Sequence, residues 1–562
     1  MADTAQTSPS QPFALSLEDA AAHVMETDAR FAVDWAVIRG ERYRVFSASP
    51  PNLRAMMLNA SDLHDDFIAF RQETWTYDKF LTDVAALASY LTDQGVKPGD
   101  RVALAMRNYP DLLIAFMGIV SLGGVCVFLN AWWSADELAY ALDDSAPALV
   151  IADPERAGKI TGWPCLLTRA EGEPFQAALA AHRGAMMPNQ TIDPDDDFAV
   201  MYSSGTTGRP KGVVLTHRGA VHSIWTWLMS LTYAPLMAPE PPAPAPKQVT
   251  LIMTPFFHVT ATHPNFLLSM AAGAKVVLME KWDADQAVRL IEQHRVTRFL
   301  GVPTQSADLL EAAKRASAKL DTLSYLSGGG AKRPPSQVAP LAEAFPAATV
   351  GTGWGMTETN GSGMSLGGPE YVDHPNASGR FLPPLQEVRI LSEDGEPLPN
   401  GQLGEIAVRS AMNMRCYLNK PEATAETLQN GWLKTGDLAV LGDDGIASIL
   451  DRKKNIIIRG GENIACLDVE AAIHQHPAVA EAACFAVPDD RLGELVGACI
   501  HLREGETLTG EALRIFLNGR IADFKIPAHI WLQTAVLPRA TTAKTDRRAI
   551  AENCLAQMEI AQ

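Results

Sequence analysis

Residues 202–212 read Y-S-S-G-T-T-G-R-P-K-G, and no other stretch of the chain says as much about its chemistry. Ser203, Ser204, Thr206 and Thr207 supply hydroxyls, Gly205, Gly208 and Gly212 supply backbone freedom, and Lys211 supplies a charge. Glycine lets backbone N–H groups come close to an anion. Hydroxyls and a lysine add donors for phosphate oxygens. The stretch therefore reads as a loop that holds a polyphosphate. The apolar D-F-A-V-M before it predicts a strand, and V-V-L-T-H after it leads to a helix. A strand–loop–helix unit is a common seat for an anion. A Walker A loop would end in G-K-[ST], whereas here Pro210 precedes Lys211 and Gly212 follows it. A flexible Ser/Gly linker would not set a lone lysine between Pro and Gly, with apolar runs on both sides.

The composition is that of a large globular protein: 562 residues, 47% hydrophobic and 20% charged, enough for several domains. With 47 basic and 65 acidic side chains the formal charge is −18, which argues against nucleic-acid binding and a polybasic membrane anchor. Seven scattered cysteines form no C-x-x-C pair, which fits a reducing compartment. The polar N-terminus lacks a signal pattern, so a cytoplasmic protein is expected. Residues 112–129 are long and apolar enough to test as a membrane span. Gly123-Gly124 divides them, and the pattern predicts a buried helix followed by a buried parallel strand.

Along the chain, β and α patterns alternate up to about residue 380. Strands are expected at 101–106, 125–129, 148–152 and 296–302, and helices at 109–122, 136–142 and 284–294. Such alternation implies parallel sheets covered by helices. Residues 237–247, M-A-P-E-P-P-A-P-A-P-K, predict an extended excursion. After about residue 385 the texture becomes hairpin-like, at 388–409 and around Gly442–Gly445. A charged knot, Asp451-Arg-Lys-Lys454, then sits between apolar runs and predicts a domain joint. The fold class is α/β. A large N-terminal domain, 1–450, combines parallel-rich sheets with a β-barrel-like part. A hinge at 451–454 and a small mobile α+β domain at 455–562 follow.

The loop at 202–212 resembles the signature of the adenylate-forming superfamily, which includes acyl-CoA synthetases, peptide-synthetase adenylation domains and beetle luciferases. Further motifs follow in that family's order. Residues 254–258, T-P-F-F-H, resemble the segment whose histidine lines an acyl pocket; Phe257, His258, Val259 and Gly355 are its expected walls. Ser327 with Gly328, Gly329 and Gly330 resembles the turn against adenine. Gly353, Trp354, Gly355, Met356, Thr357 and Glu358 resemble the block that stacks on adenine and supplies Thr and Glu to phosphate and Mg²⁺. Asp437, in W-L-K-T-G-D, and Arg452 match the ribose contacts, and Lys454 matches the hinge residue. Gly460 and Gly461 match the segment beside the pantetheine tunnel, and Lys544, in P-R-A-T-T-A-K, matches the catalytic lysine.

The resemblance implies an AMP-forming acid–CoA ligase with ATP, Mg²⁺ and coenzyme A as its small-molecule partners. The acid attacks the α-phosphorus of ATP to give an acyl-adenylate and pyrophosphate. A thiol then takes the acyl group. Lys544, Glu358, Thr206 and His258 are the implied catalytic set, with Mg²⁺ near Glu358 and Thr206. Rotation about Lys454 would separate the two steps. Two positions depart from the family: Ala543 stands where a glycine usually precedes the lysine, and Ala465-Cys466 replaces a common Tyr-Pro. If position 543 needs positive φ, alanine costs roughly a kcal/mol or more.

For the acid, acetate-specific relatives carry tryptophan at the position of Gly355. The glycine implies an open wall and an acid longer than propionate. A medium- or long-chain fatty acid is the expected substrate, supported by Asn130-Ala-Trp-Trp133, with cinnamate- or benzoate-type acids as the alternative. A stand-alone enzyme loading a carrier protein and an inactive ligand-binding homologue are rival readings. Peripheral membrane association and a homodimer stay open.

Overall fold

The computed structural model of the chain describes residues 13–203, 210–240, 246–459, 462–539 and 545–561. Two large sheets organise most of it. One has seven strands, ordered Cys416–Tyr417, Lys211–Thr216, Asp197–Ser203, Val125–Phe128, Arg101–Ala105, Leu149–Ala152, Cys165–Leu167. From Asp197–Ser203 onward its neighbours are all parallel. The other has nine strands, with Thr349–Gly355, Tyr325–Gly328, Arg298–Gly301, Val249–Ile252, Lys275–Leu278 and Asp66–Phe70 forming a parallel centre. Parallel strands covered on both faces must be apolar on both faces. V-C-V-F at 125–128 and L-V-I-A at 149–152 are accordingly buried throughout.

The apolar run 112–129 resolves as predicted. Helix Pro110–Ser121 starts on a proline, whose missing N–H costs nothing at a helix N-terminus. Gly123, at φ +80°, ends it, and the strand Val125–Phe128 follows. No helix among the described residues is long and apolar enough to cross a membrane. The helix at Ala284–His294 has the expected bounds, with Asp283 capping it through Gln286 N. Pro303 follows the strand Arg298–Gly301 and opens the helix Pro303–Ala316.

A six-stranded antiparallel sheet follows, built on Glu387–Leu391, Leu403–Arg409, Trp432–Leu441 and Ala447–Arg452. The turn at S-E-D-G-E returns into the short strand Pro397–Leu398, so Glu387–Leu391 is paired on both sides. A five-stranded sheet built on Ile456–Arg459, Val479–Asp489, Gly493–Leu502 and His529–Gln533 carries its own core of Ile457, Val469, Val496 and Leu513.

One local expectation changes. The segment after the Gly-rich loop is first a strand, Lys211–Thr216, antiparallel to Asp197–Ser203 with Lys211 opposite Ser203. The helix His217–Met237 begins only after it, where Thr216 Oγ1 accepts from Gly219 N. The loop thus joins two paired strands rather than leading into a helix, so no helix N-terminus stands at its end. The β-branched pair Val213-Val214, buried on both faces, explains the preference for strand.

Candidate active site

A cavity of about 1880 Å³ opens beside the ends of both large sheets. Ser203, Lys211, Phe257, His258, Val259, Gly330 and Gly353–Glu358 line it, together with Asp437 and Arg452. Gly328 and Gly329 lie directly behind the wall: Gly329 N donates to Gly301 O, and a Cβ at Gly329 would sit 3.4 Å from Gly353 O. Arg539 and Thr545 line the cavity from the C-terminal side. Ser204, Gly205, Thr206, Thr207, Gly208, Gly460, Gly461, Ala543 and Lys544 lie outside the described residues.

Strand Thr349–Gly355 delivers Trp354 into this space, and the Trp432–Leu441/Ala447–Arg452 hairpin delivers Asp437 and Arg452 as cross-strand partners. The three side chains meet. Trp354 Nε1 donates to Asp437 Oδ2 at 2.8 Å, and Arg452 Nε lies 3.0 Å from Asp437 Oδ1. Asp437 is buried, which shields its contact with the Trp354 indole, while the Arg452 side chain stays partly exposed.

Beyond Gly355 the chain makes the short 3₁₀ turn Thr357–Thr359, and Asn360 adopts φ +52°. Asparagine is among the few residues that tolerate this region. The turn presents Glu358, whose Oε1 accepts from Tyr417 Oη at 2.9 Å. Burial and the Glu358 charge push the Tyr417 phenol far up, so it stays protonated as a donor. Lys211 Nζ stands 4.9 Å from the Tyr417 ring centroid, within cation–π range. Lys211, Tyr417 and Glu358 therefore form one group.

His258 follows a turn closed by His258 N to Pro255 O, and its Nδ1 accepts from Thr260 N at 3.2 Å. The ring proton accordingly belongs on Nε2. Asn108 fastens this segment, donating to Thr254 O and accepting from Phe256 N. The Phe257 ring meets Trp132 edge-on at 5.2 Å.

The structure corrects one reading of a single residue. A Cβ at Gly355 would lie 2.6 Å from the carbonyl carbon of Gly361 and closer still to its oxygen. Glycine is required there by a neighbouring backbone, so it is no measure of how long an acid fits. Cys466 is buried and its Sγ donates to Asn455 O at 3.0 Å, while burial raises its thiol far above the ordinary range. It is a packed side chain rather than a reactive one.

Sequence reasoning missed Tyr417, Asn108, Arg539 and Thr545. Tyr417 follows C and precedes L-N-K-P, with no local signal of a site; only the pairing of Cys416–Tyr417 with Lys211–Thr216 brings it to Glu358.

The arrangement is matched elsewhere. Residues 58–418 fit the family model described as AMP-binding enzyme, and residues 468–544 fit that of the AMP-binding enzyme C-terminal domain. This chain belongs to the AMP-binding enzyme family. As an AMP-binding enzyme it is, as expected, an AMP-forming acyl-CoA ligase, and its α/β architecture with a smaller C-terminal part is that of its neighbours. A feruloyl-CoA synthase from Amycolatopsis sp is 33% identical over 470 residues, covering 81% of this chain and 89% of the relative. A long-chain-fatty-acid–CoA ligase from Bacillus subtilis is 30% identical over 528 residues, covering 86% and 91%. The ATP-bound crystal structure of MatB from Rhodopseudomonas palustris superposes with a TM-score of 0.79 at 27% identity, covering 90% of this AMP-binding enzyme and 99% of MatB.

Proposed function

We propose that this AMP-binding enzyme activates a compact, uncharged, apolar carboxylic acid, with aryl acids preferred, and transfers it to CoA. The observation that carries this reading is the wall beyond His258. Phe257, Val259, Trp227 and Met356 belong to one apolar cluster. Gly361 lies so close to Val259 and Trp227 that a single added Cβ would be 3.3 and 3.4 Å from them. This packing behind Val259 supports a short pocket, and with it a short planar acid over a long chain. The similarity to a feruloyl-CoA synthase supports the same choice. The fatty-acid expectation leaned on Asn130-Ala-Trp-Trp133, while Gly355, which argued only for an acid longer than propionate, is explained by its backbone neighbour.

In this reading Trp354 and Gly330 flank the base, and Asp437 with Arg452 takes the ribose hydroxyls. Ser203 and Lys211 face the phosphates from the hairpin edges. The carboxylate oxygen bonds to the α-phosphorus as the bond to pyrophosphate breaks, so positioning and charge stabilisation do the work. Lys544 would bring its charge to the same phosphorus. Among the described residues no group of three or more His, Cys, Asp or Glu side chains could hold a metal alone. Mg²⁺ needs less, since one carboxylate with phosphate oxygens and water suffices. Glu358, with Thr206, fits that role, and the ion would add charge neutralisation at the phosphates.

In the second step the CoA thiol attacks the acyl carbonyl and AMP departs. We set the hinge at Lys454, within the 3₁₀ turn Lys453–Asn455 that links strands Ala447–Arg452 and Ile456–Arg459. The moving part is then residues 455–562, with Gly460 and Gly461 beside the thiol's path. Pyrophosphate exchange with cinnamate-type, benzoate-type, medium-chain and long-chain acids tests the substrate. Aryl acids should give the highest kcat/KM, and a tenfold preference for long-chain acids would overturn the choice. Thioester formation with CoA against a phosphopantetheinyl carrier protein tests the acceptor.

A further inference from the structure

The Glu358 turn is held from behind by a buried polar network that no motif announces. Asn360 is fully buried, and its Nδ2 donates to Met412 O at 2.7 Å. That bond fixes the amide orientation, so Oδ1 is the acceptor facing His263 Nε2 at 3.0 Å. His263 must therefore carry its proton on Nε2, leaving Nδ1 to the Thr262 hydroxyl at 2.8 Å. The Asn360 carbonyl accepts from Ser223 Oγ at 2.9 Å, and Ser223 also meets Ser362 Oγ at 2.7 Å. Gly219 leaves room for the network, since a Cβ there would be 2.6 Å from Asn360 Nδ2. Met414 N donates to Glu358 O at 2.7 Å and closes the frame.

His263 lies on the π-helical segment Ala261–Leu267, which Pro264 interrupts. A π-turn with an internal proline is a costly arrangement for a purely structural segment, and such turns concentrate at functional sites. The same segment begins just after His258, which lines the cavity. One short stretch thus faces the acyl side with His258 and the Glu358 turn with His263. Burial keeps the His263 ring neutral, with its pKa lowered to about 4. A neutral ring with Nε2–H is the form the Asn360 contact demands.

We propose that His263, through Asn360, is a positioning residue that aims the Glu358 carboxylate during adenylate formation. This rests on the reading of Glu358 as part of the phosphate and Mg²⁺ site. Outer partners that orient an acidic ligand are commonly worth about 10- to 100-fold in affinity or activity.

The test uses the full-length enzyme and separates the half-reactions. In His263→Leu, pyrophosphate exchange should lose about 10- to 100-fold in kcat, with the acid KM little changed. Thioester formation from a supplied acyl-adenylate should stay within about threefold. His263→Gln carries an amide nitrogen towards the Nε2 position and should recover most of the loss, whereas His263→Asn reaches only the Nδ1 position and should not. Equal exchange rates in the Gln and Asn variants, or equal losses in both half-reactions, would overturn the proposal, and the Gln/Asn pair decides the matter even if the Leu variant does not fold. Glu358→Gln serves as the control. If it leaves exchange intact, the reading of Glu358 fails. If it abolishes exchange while His263→Leu does not lower it, only the positioning role fails.

Discussion

Trp354 and Asp437 share a hydrogen bond of 2.8 Å between the indole Nε1 and Oδ2, with Arg452 holding the other carboxylate oxygen. The aromatic, the carboxylate and the guanidinium are thus pre-assembled from two different sheets. Hydrogen bonds to charged groups contribute about 1.5–3 kcal/mol. Asp437→Ala should therefore raise the KM for ATP in pyrophosphate exchange by about 10- to 100-fold. Trp354→Phe keeps a smaller aromatic face and loses the N–H while leaving Asp437 in place, so its KM should rise less. Equal KM values for Asp437→Ala and the parent would remove Asp437 from the nucleotide site.

Tyr417 is the residue that ties Lys211 to Glu358. Removing its hydroxyl in Tyr417→Phe takes a donor from a buried carboxylate while leaving the ring under Lys211. Exchange kcat should fall by about tenfold or more, with the fold intact by unfolding midpoint. An unchanged kcat would mean that Glu358 is held by its backbone alone.

Gly355→Ala tests a steric statement. The new Cβ would collide with the Gly361 carbonyl, and backbone cannot yield as a side chain can. Overpacking of this kind costs about 1–3 kcal/mol. The unfolding midpoint in urea should drop, with activity lost on every acid. A stable variant with a merely shortened acid preference would restore the open-wall reading.

Lys544→Ala should lose adenylate formation while still forming thioester from a supplied acyl-adenylate. Lys454→Pro should do the opposite, because proline restricts φ where a joint must change it. Single-turnover measurement of each half-reaction separates the two. Equal damage to both steps in either variant would count against the division of labour.

His222 is buried beside Phe46 and Ser49, and burial lowers its pKa from 6.5 to about 3, with Arg218 adding to the shift and Asp195 opposing it. Above 6.5 the ring is neutral in both folded and unfolded states. As pH falls from 6.5 towards 3 only the unfolded chain gains the proton, so stability declines, by about 1.4 kcal/mol per pH unit. His222→Phe should flatten the loss of stability between about pH 6.5 and pH 5, read as urea midpoints. An identical slope in the variant would place the acid sensitivity on other groups.

Much of the architecture was legible because apolar patterning is local. The buried helix and strand of residues 110–128 followed from a double glycine inside an apolar run. The Asp437–Arg452 pair was nameable from motifs, and the turn Gly442–Gly445 gave its hairpin. The strand Lys211–Thr216 was missed although Val213-Val214 favours it, because its partner Asp197–Ser203 lies on the other side of the loop. Gly355 was misread for the same reason: its neighbour, Gly361, is on the far side of a turn.

The sequence by itself determined the alternation of strands and helices, the order of the nucleotide motifs and the family. These depend on periodicity and on residue types at short spacing. Only the tertiary structure decided that Tyr417 reaches Glu358, that His263 and Asn360 brace the turn behind it, and that Val259 and Trp227 close on Gly361. Each joins residues far apart in the chain. Hydrogen-bond direction and steric closure exist only once the sheets and helices have packed.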